Sequence, residues 1–289
     1  PAWLACDGEE TTLGALLDAS RFSGRFVRDY LVPMGASIWS TDPARMLDFP
    51  ARFFVRFLHN RGMLTVRDRP VWRVIRGGSA RYVERLSAPW RDRMRLNARV
   101  LSVRREPSGV WVRSSSRPAE RFDHVFLACH ADQALAMLAD PSREEREILR
   151  ALPGQPNEAV LHTDTALLPR RRRAWAAWNY HVLPGRGQGV ALTYNMNVLQ
   201  QLRACRTFCV TLNAGDHIDP KRVLRRLNYR HPLFTTAGVA AQERHREISG
   251  VRRTHYCGAW WRYGFHEDGV VSAQMALQRF EQSRADDAQ

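Results

Sequence analysis

Residues 255–273 read His-Tyr-Cys-Gly-Ala-Trp-Trp-Arg-Tyr-Gly-Phe-His-Glu-Asp-Gly-Val-Val-Ser-Ala, an order that predicts a strand, a glycine-rich loop and the start of a helix. A strand that ends at Cys257-Gly258-Ala259 lets backbone approach a ligand closely, because neither Gly258 nor Ala259 carries a bulky side chain. The loop is expected to close at Gly264 and Gly269, with the helix running on from Val270 to Leu277. The unpaired N–H groups of such a helix start face whatever the loop holds, a geometry suited to an anionic cofactor.

The rest of the chain bounds the reading. With 289 residues and 44% hydrophobic content it can build one large domain or two smaller ones around a real core. No apolar run of about 18 residues is present, so no stable membrane insertion is expected, and with no secretory leader at residue 1 a cytoplasmic protein is the default. Five cysteines at scattered positions argue against a disulfide framework; Cys205 and Cys209 have i, i+4 spacing, but no second pair or histidine cluster completes a metal site. The formal net charge of +15 suggests an anionic partner, yet Lys221 is the single lysine among 44 basic residues. A phosphate-tracking surface has no reason to avoid lysine, so nucleic acid is not the expected partner. The run Arg170-Arg171-Arg172-Arg173 reads as a solvated turn.

Along the chain, Leu13, Leu16, Leu17, then Phe22, Phe26, Tyr30, Leu31, then Phe53, Phe54, Phe57, Leu58 fall at helical spacing and predict several short helices with aromatic core faces. Asp42-Pro43 and Asp48-Phe49-Pro50 mark helix starts, and Arg61-Gly62 marks a stop. Val71 to Ser79 reads as a strand running into the Gly77-Gly78 pair, followed by a helix from Ala80 to Leu86. Alternation around Val100, Leu101, Ser102, Val103 and again at Val110-Trp111-Val112 predicts a hairpin. Phe122 to Cys129 is apolar on both faces, as in a parallel strand covered by helices, and opens at His130 onto a helix over Gln133–Leu138. Strands are expected at 159–163, 174–181, 189–196 and 207–212, forming an antiparallel sheet with Trp175, Trp178, Tyr180, Tyr194 and Met196 on one face; pocket lining and core face are equally compatible with that pattern. Asp219-Pro220 predicts a helix through Leu227, and Thr235–Ile248 a further helix before the closing strand.

The 255–273 segment resembles the C-terminal flavin motif of the flavin-containing amine oxidase superfamily, which includes protoporphyrinogen oxidases and phytoene desaturases. The resemblance implies an FAD-dependent oxidoreductase of α/β class, with α+β character in this chain: a partial FAD/NAD(P)-binding domain joined to a substrate domain of antiparallel sheet plus helices. It implies a division into 1–70, helical part of the substrate domain; 71–140, middle of the FAD-binding domain; 141–249, substrate domain; and 250–289, final strand and helix of the FAD-binding domain. By the same resemblance Gly258 and Ala259 pass the ribityl-phosphate region, His266, Glu267, Asp268, Gly269 and Val270 stand at the helix start beside the flavin ring, and the backbone at Val100 meets the adenine. The superfamily commonly has a glycine pair where Gly77 and Gly78 stand, whereas many members have Asp in place of Ala259.

A dinucleotide fold of this type opens with a strand, a Gly-x-Gly-x-x-Gly turn and a helix, and Pro1 to Gly8 carry no such motif. The expectation is a chain that starts partway through the family's length. Many amine-oxidising members place a lysine beside the flavin, and Lys221, at an expected helix start, does not suit that role. Dehydrogenation or desaturation of a small molecule is therefore expected ahead of amine oxidation, with lipid-like substrates kept open and the alternative of a non-catalytic interaction module that binds no flavin. His266 beside Glu267 and Asp268 suits proton exchange near neutral pH and equally suits helix capping.

Overall fold

The computed structural model describes residues 11–65, 67–68, 70–181 and 191–286. In chain order α1 (Leu13–Asp18) starts at Thr12, whose hydroxyl accepts from the Ala15 N–H. Next, α2 (Gly24–Phe26) widens through a π-helical turn at Val27–Leu31 into α3 (Val32–Trp39). Pro33 has no N–H for the carbonyl four residues back, and the wide bond from Val32 N–H to the Val27 carbonyl falls directly before it. As expected, Asp42 caps α4 (Pro43–Met46) with Pro43 in its first turn, and α5 (Ala51–Asn60) follows Pro50 and ends at Arg61. Phe49, Phe53, Phe54 and Phe57 surround Trp39 with ring centroids 4.8 to 6.1 Å away, so these aromatics are core. Phe22, Phe26 and Tyr30 are not: all three are exposed.

The expected strand at 71–79 does not form. Val71 and Trp72 are 80% and 70% exposed, and the segment reaches a left-handed turn at Gly77 and Gly78 before α6 (Ala80–Ser87) and a 3-10 turn at Ala88–Arg93. Its apolar residues run without strict alternation, and among the described residues no neighbouring strand supplies a ladder. The hairpin does form: β1 (Val100–Glu106), β2 (Gly109–Ser114) and β3 (Glu120–Phe122) make an antiparallel meander. Then come β4 (Val125–Leu127), α7 (Ala131–Met137) and α8 (Arg143–Arg150), the last opened by a reciprocal Ser142–Glu145 capping box.

The antiparallel sheet comprises β5 (Gly154–His162), β6 (Trp178–His181), β7 (Ala191–Asn195), β8 (Cys209–Leu212) and β9 (Val223–Pro232), in the order β6-β7-β8-β5-β9. Several boundaries differ from expectation. Arg172–Ala174 is a 3-10 turn rather than strand, Met196 opens the short α9 (Met196–Leu199) because the Asn195 side chain caps it, and residues 189 and 190 lie outside the described residues. The helix expected after Asp219 is one 3-10 turn, Pro220–Arg222, after which the chain becomes β9. Pairing at the sheet edge overrides the helical spacing of Val223, Leu224 and Leu227, and Arg226 on β9 ion-pairs with Glu158 on β5 at 2.8 Å. The segment from Thr235 is helical as expected, split at Arg244 into α10 (Thr236–Glu243) and α11 (His245–Ile248). Finally β10 (Thr254–Tyr256) pairs in parallel with β4, and α12 (His266–Asp286) follows. Gly269 therefore stands inside a helix, not at the close of a loop.

These elements divide into two compact units, Pro1–Met94 with Gln155–His231 and Arg95–Gly154 with Pro232–Gln289; the breaks at 94, 154 and 231 compare with 70, 140 and 249 in the sequence reading. In the first unit one face of the five-stranded sheet carries Ala159, Leu192 and Leu212 beside Trp178, Tyr180 and Tyr194, covered by α3 through Ala36. In the second, Val103, Leu127, Ile148, Leu149, Trp260 and Trp261 belong to one core. A buried ionic network crosses that unit. Arg105 on β1 donates both terminal nitrogens to the Glu145 carboxylate at 2.7 and 2.8 Å, and the Tyr256 hydroxyl donates to the same group at 2.6 Å. Burial alone would raise the Glu145 carboxyl, but the bonds from Arg105, Tyr256 and the Ser142 N–H outweigh it and hold it below the usual range.

Candidate functional site

The segment that decides the fold also builds the first site. The ladder between β10 and β4 extends one step beyond Tyr256, where the Cys257 N–H meets the Leu127 carbonyl at 3.1 Å. Gly258 then leaves the strand and donates its N–H to Ser272 Oγ at 2.8 Å, and that hydroxyl donates on to the Gly269 carbonyl at 2.8 Å. A Cβ on Gly258 would lie 2.3 Å from Trp260 Nε1, so only glycine fits beneath the indole. The indole N–H donates to the Cys129 carbonyl at 2.9 Å, which ties the turn after β10 to the end of β4. Gln242 on α10 donates to the carbonyls of Trp260 and Arg262 at 2.8 and 2.7 Å, and Gly264 N–H closes the turn onto the Ala259 carbonyl at 3.0 Å.

The start of α12 is set by Asp268. Its buried carboxylate reaches back to accept from the Phe265 N–H at 3.0 Å and lies 3.3 Å from Arg262 Nε. Of the expected site residues, the turn thus brings Gly258, Ala259, Asp268 and Gly269 together, with Ala259 Cβ at ordinary contact distance from where a Gly269 Cβ would stand. His266, Glu267 and Val270 occupy the exposed side of the same first turn. Val100 arrives separately as the first residue of β1, packed on the core that contains Trp260 and Trp261. There the register steps from Val100↔Ser114 to Ser102↔Arg113, so Leu101 bulges and the backbone next to Val100 falls out of step with the ladder.

Sequence reading missed Ser272, Gln242 and the indole bond of Trp260. Ser272 had a signal: it stands four residues after Asp268, on the same helix face. Neither of the other two has one, because each bond spans a distance in sequence that no local pattern encodes. The turn's thiols are not poised as nucleophiles, since burial pushes both Cys129 and Cys257 up from the usual thiol range. Among the described residues, no group of three or more His, Cys, Asp or Glu side chains could hold a metal ion, and no helix is long and apolar enough to cross a membrane.

A second candidate lies in the other compact unit. A cavity of about 990 Å³ opens between the π-helical turn, α3, α4 and β6. Its wall is mainly apolar, with Val32, Pro33, Met34, Pro43, Leu47 and the ring of Trp178, and its polar groups are Arg28, Asp29, Tyr30, Ser37 and Tyr180. Ser37 Oγ is buried and has no hydrogen-bond partner. Tyr180 is held neutral, its phenol raised first by burial and then by the nearby charge of Asp42. The expected aromatic sheet face is accordingly shared: Trp178 and Tyr180 touch both core and cavity, Tyr194 packs into the core, Trp175 donates its indole N–H to the Pro169 carbonyl, and Met196 belongs to α9.

The sequence model of the family described as flavin containing amine oxidoreductase matches residues 4–189. The chain belongs to that family. Several solved structures share the fold of this flavin-containing amine oxidoreductase family member. A redesigned putrescine oxidase is 15% identical with a TM-score of 0.66, covering 96% of this chain and 69% of its own. Cyclohexylamine oxidase from Brevibacterium oxydans is 13% identical with a TM-score of 0.59, over 95% and 68% of the two chains. The fatty acid isomerase from P. acnes that produces CLA is also 13% identical with a TM-score of 0.59, over 93% and 73%. At such identities the likeness concerns the fold. A comparison with curated proteins gives no match.

Proposed function

We propose that this family member is an FAD-dependent oxidoreductase in which the turn between β10 and α12 holds part of the flavin. The observation that carries the reading is the turn itself: Gly258, its N–H held by Ser272, leaves β10 eight residues before the 21-residue α12, whose first turn packs against Ala259. Gly258 and Ala259 would run along the ribityl-phosphate region, the first turn from His266 to Val270 would stand beside the ring, and the bulged backbone at Val100 would meet the adenine. The charges support this order. Glu267 and Asp268 in the first turn disfavour a phosphate there, but Asp268 is already engaged by Arg262 and the Phe265 N–H, which suits main-chain donors facing the uncharged carbonyl edge of a flavin ring.

When bound, the flavin would supply the chemistry, accepting a hydride from substrate and passing electrons to oxygen or another acceptor. The protein's part is orientation and exclusion of water. The single lysine, Lys221, sits exposed in the Pro220–Arg222 turn, an environment unlike that of a buried catalytic amine, so dehydrogenation or desaturation is the better fit than amine oxidation. Visible absorbance tests the reading: protein incubated with FAD and separated from free flavin should keep flavin bands, and protein that stays colourless would refute it.

A further inference from the structure

We propose that the cavity between the π-helical turn, α3, α4 and β6 takes a hydrocarbon-rich substrate with a single hydrogen-bonding group, and that it excludes diamines and other cations. The term substrate rests on the oxidoreductase reading; occupancy of the cavity does not. Charge decides the class. Asp29 is the single carboxylate in the wall, and it is already closed by Arg28 Nε at 2.8 Å and Arg25 Nε at 3.6 Å. A cation entering an apolar space loses its hydration and meets a wall in which Arg28 balances Asp29, with no net negative charge to offset that loss, whereas a neutral chain loses far less. At about 990 Å³ the space suits a long chain or fused rings rather than a small polar metabolite.

The polar groups in the wall fit one end of such a molecule. Ser37 Oγ, buried without a partner on α3, is a hydroxyl whose bonding capacity the protein leaves unused, and a ligand hydroxyl or carbonyl would satisfy it. An apolar approach leads to the same place: Phe22, Phe26 and Tyr30 stack along the chain with centroids 5.4 and 5.5 Å apart, all exposed, and Tyr30 lies in the cavity wall. Such a ladder gives a hydrocarbon tail partial burial at each step toward the cavity.

Calorimetric titration of the full chain with 1-octanol, 1-decanol, 1-decylamine and 1,4-diaminobutane tests the assignment. One alcohol should bind per chain, and decanol roughly 15-fold more tightly than octanol, at roughly fourfold per buried methylene. Decylamine should bind more weakly than decanol, and diaminobutane should give no binding heat. Ala44→Trp, at an exposed position of α4 that lines the space, should abolish decanol binding with an unchanged circular dichroism spectrum, and Leu47→Trp provides a second blocking variant. Ser37→Ala should narrow the preference for decanol over a hydrocarbon of equal length. Diaminobutane binding as tightly as decanol would overturn the proposal, as would decanol binding that survives both tryptophan variants. The two readings fail separately: a chain that binds decanol but no FAD removes the oxidoreductase and leaves the cavity's ligand class, and a chain that binds FAD and diaminobutane does the reverse.

Discussion

Gly258→Ala should destabilise the second unit far more than its one added methyl suggests. The new Cβ would stand 2.3 Å from Trp260 Nε1 and 2.8 and 2.9 Å from two ring carbons, when ordinary contact begins near 3.4 Å. The indole would have to move by about 1 Å, and it is 5% exposed, packed at 4.4 Å against Trp261 and hydrogen-bonded to the Cys129 carbonyl. Overpacking of this kind costs about 1–3 kcal/mol, and loss of the indole bond adds about 1 kcal/mol, for a total of about 2–4 kcal/mol. Gly269→Ala is the internal control. Its nearest neighbour would be Ala259 Cβ at 4.0 Å, and the position is helical, so the change should be neutral or stabilising by up to about 1 kcal/mol. Urea unfolding followed by tryptophan fluorescence measures both. A Gly258→Ala loss under about 0.5 kcal/mol, or equal losses in the two variants, would refute the close approach of backbone and indole.

Three further outcomes follow from buried groups. Glu145→Ala should cost about 3–5 kcal/mol, since it leaves the Arg105 guanidinium buried without its bidentate partner; the paired replacement Arg105→Met with Glu145→Leu should cost much less than the two single changes together, as read in the same urea assay. His255 is fully buried, and burial first, then the positive charges of His124, His245 and Arg279, push its pKa down to about 4. The folded state therefore prefers the neutral ring, so stability is complete above the unfolded pKa near 6.5 and falls as pH drops toward 4, by roughly 3 kcal/mol in all; His255→Phe should flatten that slope, and an unchanged slope counts against the assignment. Among the described cysteines Cys205 alone is exposed, while burial raises Cys209 to about 11 and raises Cys257, so mass-mapped alkylation of native protein should label Cys205 before Cys209 or Cys257.

What was legible in the sequence is what local chemistry encodes. Asp42-Pro43 and Thr235 mark helix starts through short-range hydrogen bonds, and the strand before Gly258 forms as expected. Of the apolar run at 122–129, however, only Val125–Leu127 is a parallel strand; Phe122 belongs to the antiparallel meander, and Phe126 is exposed rather than covered. The failures have a common cause in pairing over distance. The apolar run at 71–76 finds no ladder, and 223–230 finds one at β5 despite helical spacing. Within the site, glycine positions and the acidic start of α12 were visible, whereas the bond from Trp260 to Cys129 spans 131 residues and the Arg105–Glu145 pair spans 40. Tertiary bonds of that reach leave no periodic mark.

The central claim is that the turn from Gly258 into α12 holds flavin. Titration of FAD with the full chain, read as quenching of flavin fluorescence, tests it most directly, with Gly269→Trp placed in parallel because that side chain would fill the space beside Ala259 and the first turn of α12. The account predicts saturable quenching by the unaltered protein and its loss in Gly269→Trp with the circular dichroism spectrum retained; absence of quenching, or equal quenching by both proteins, would contradict it.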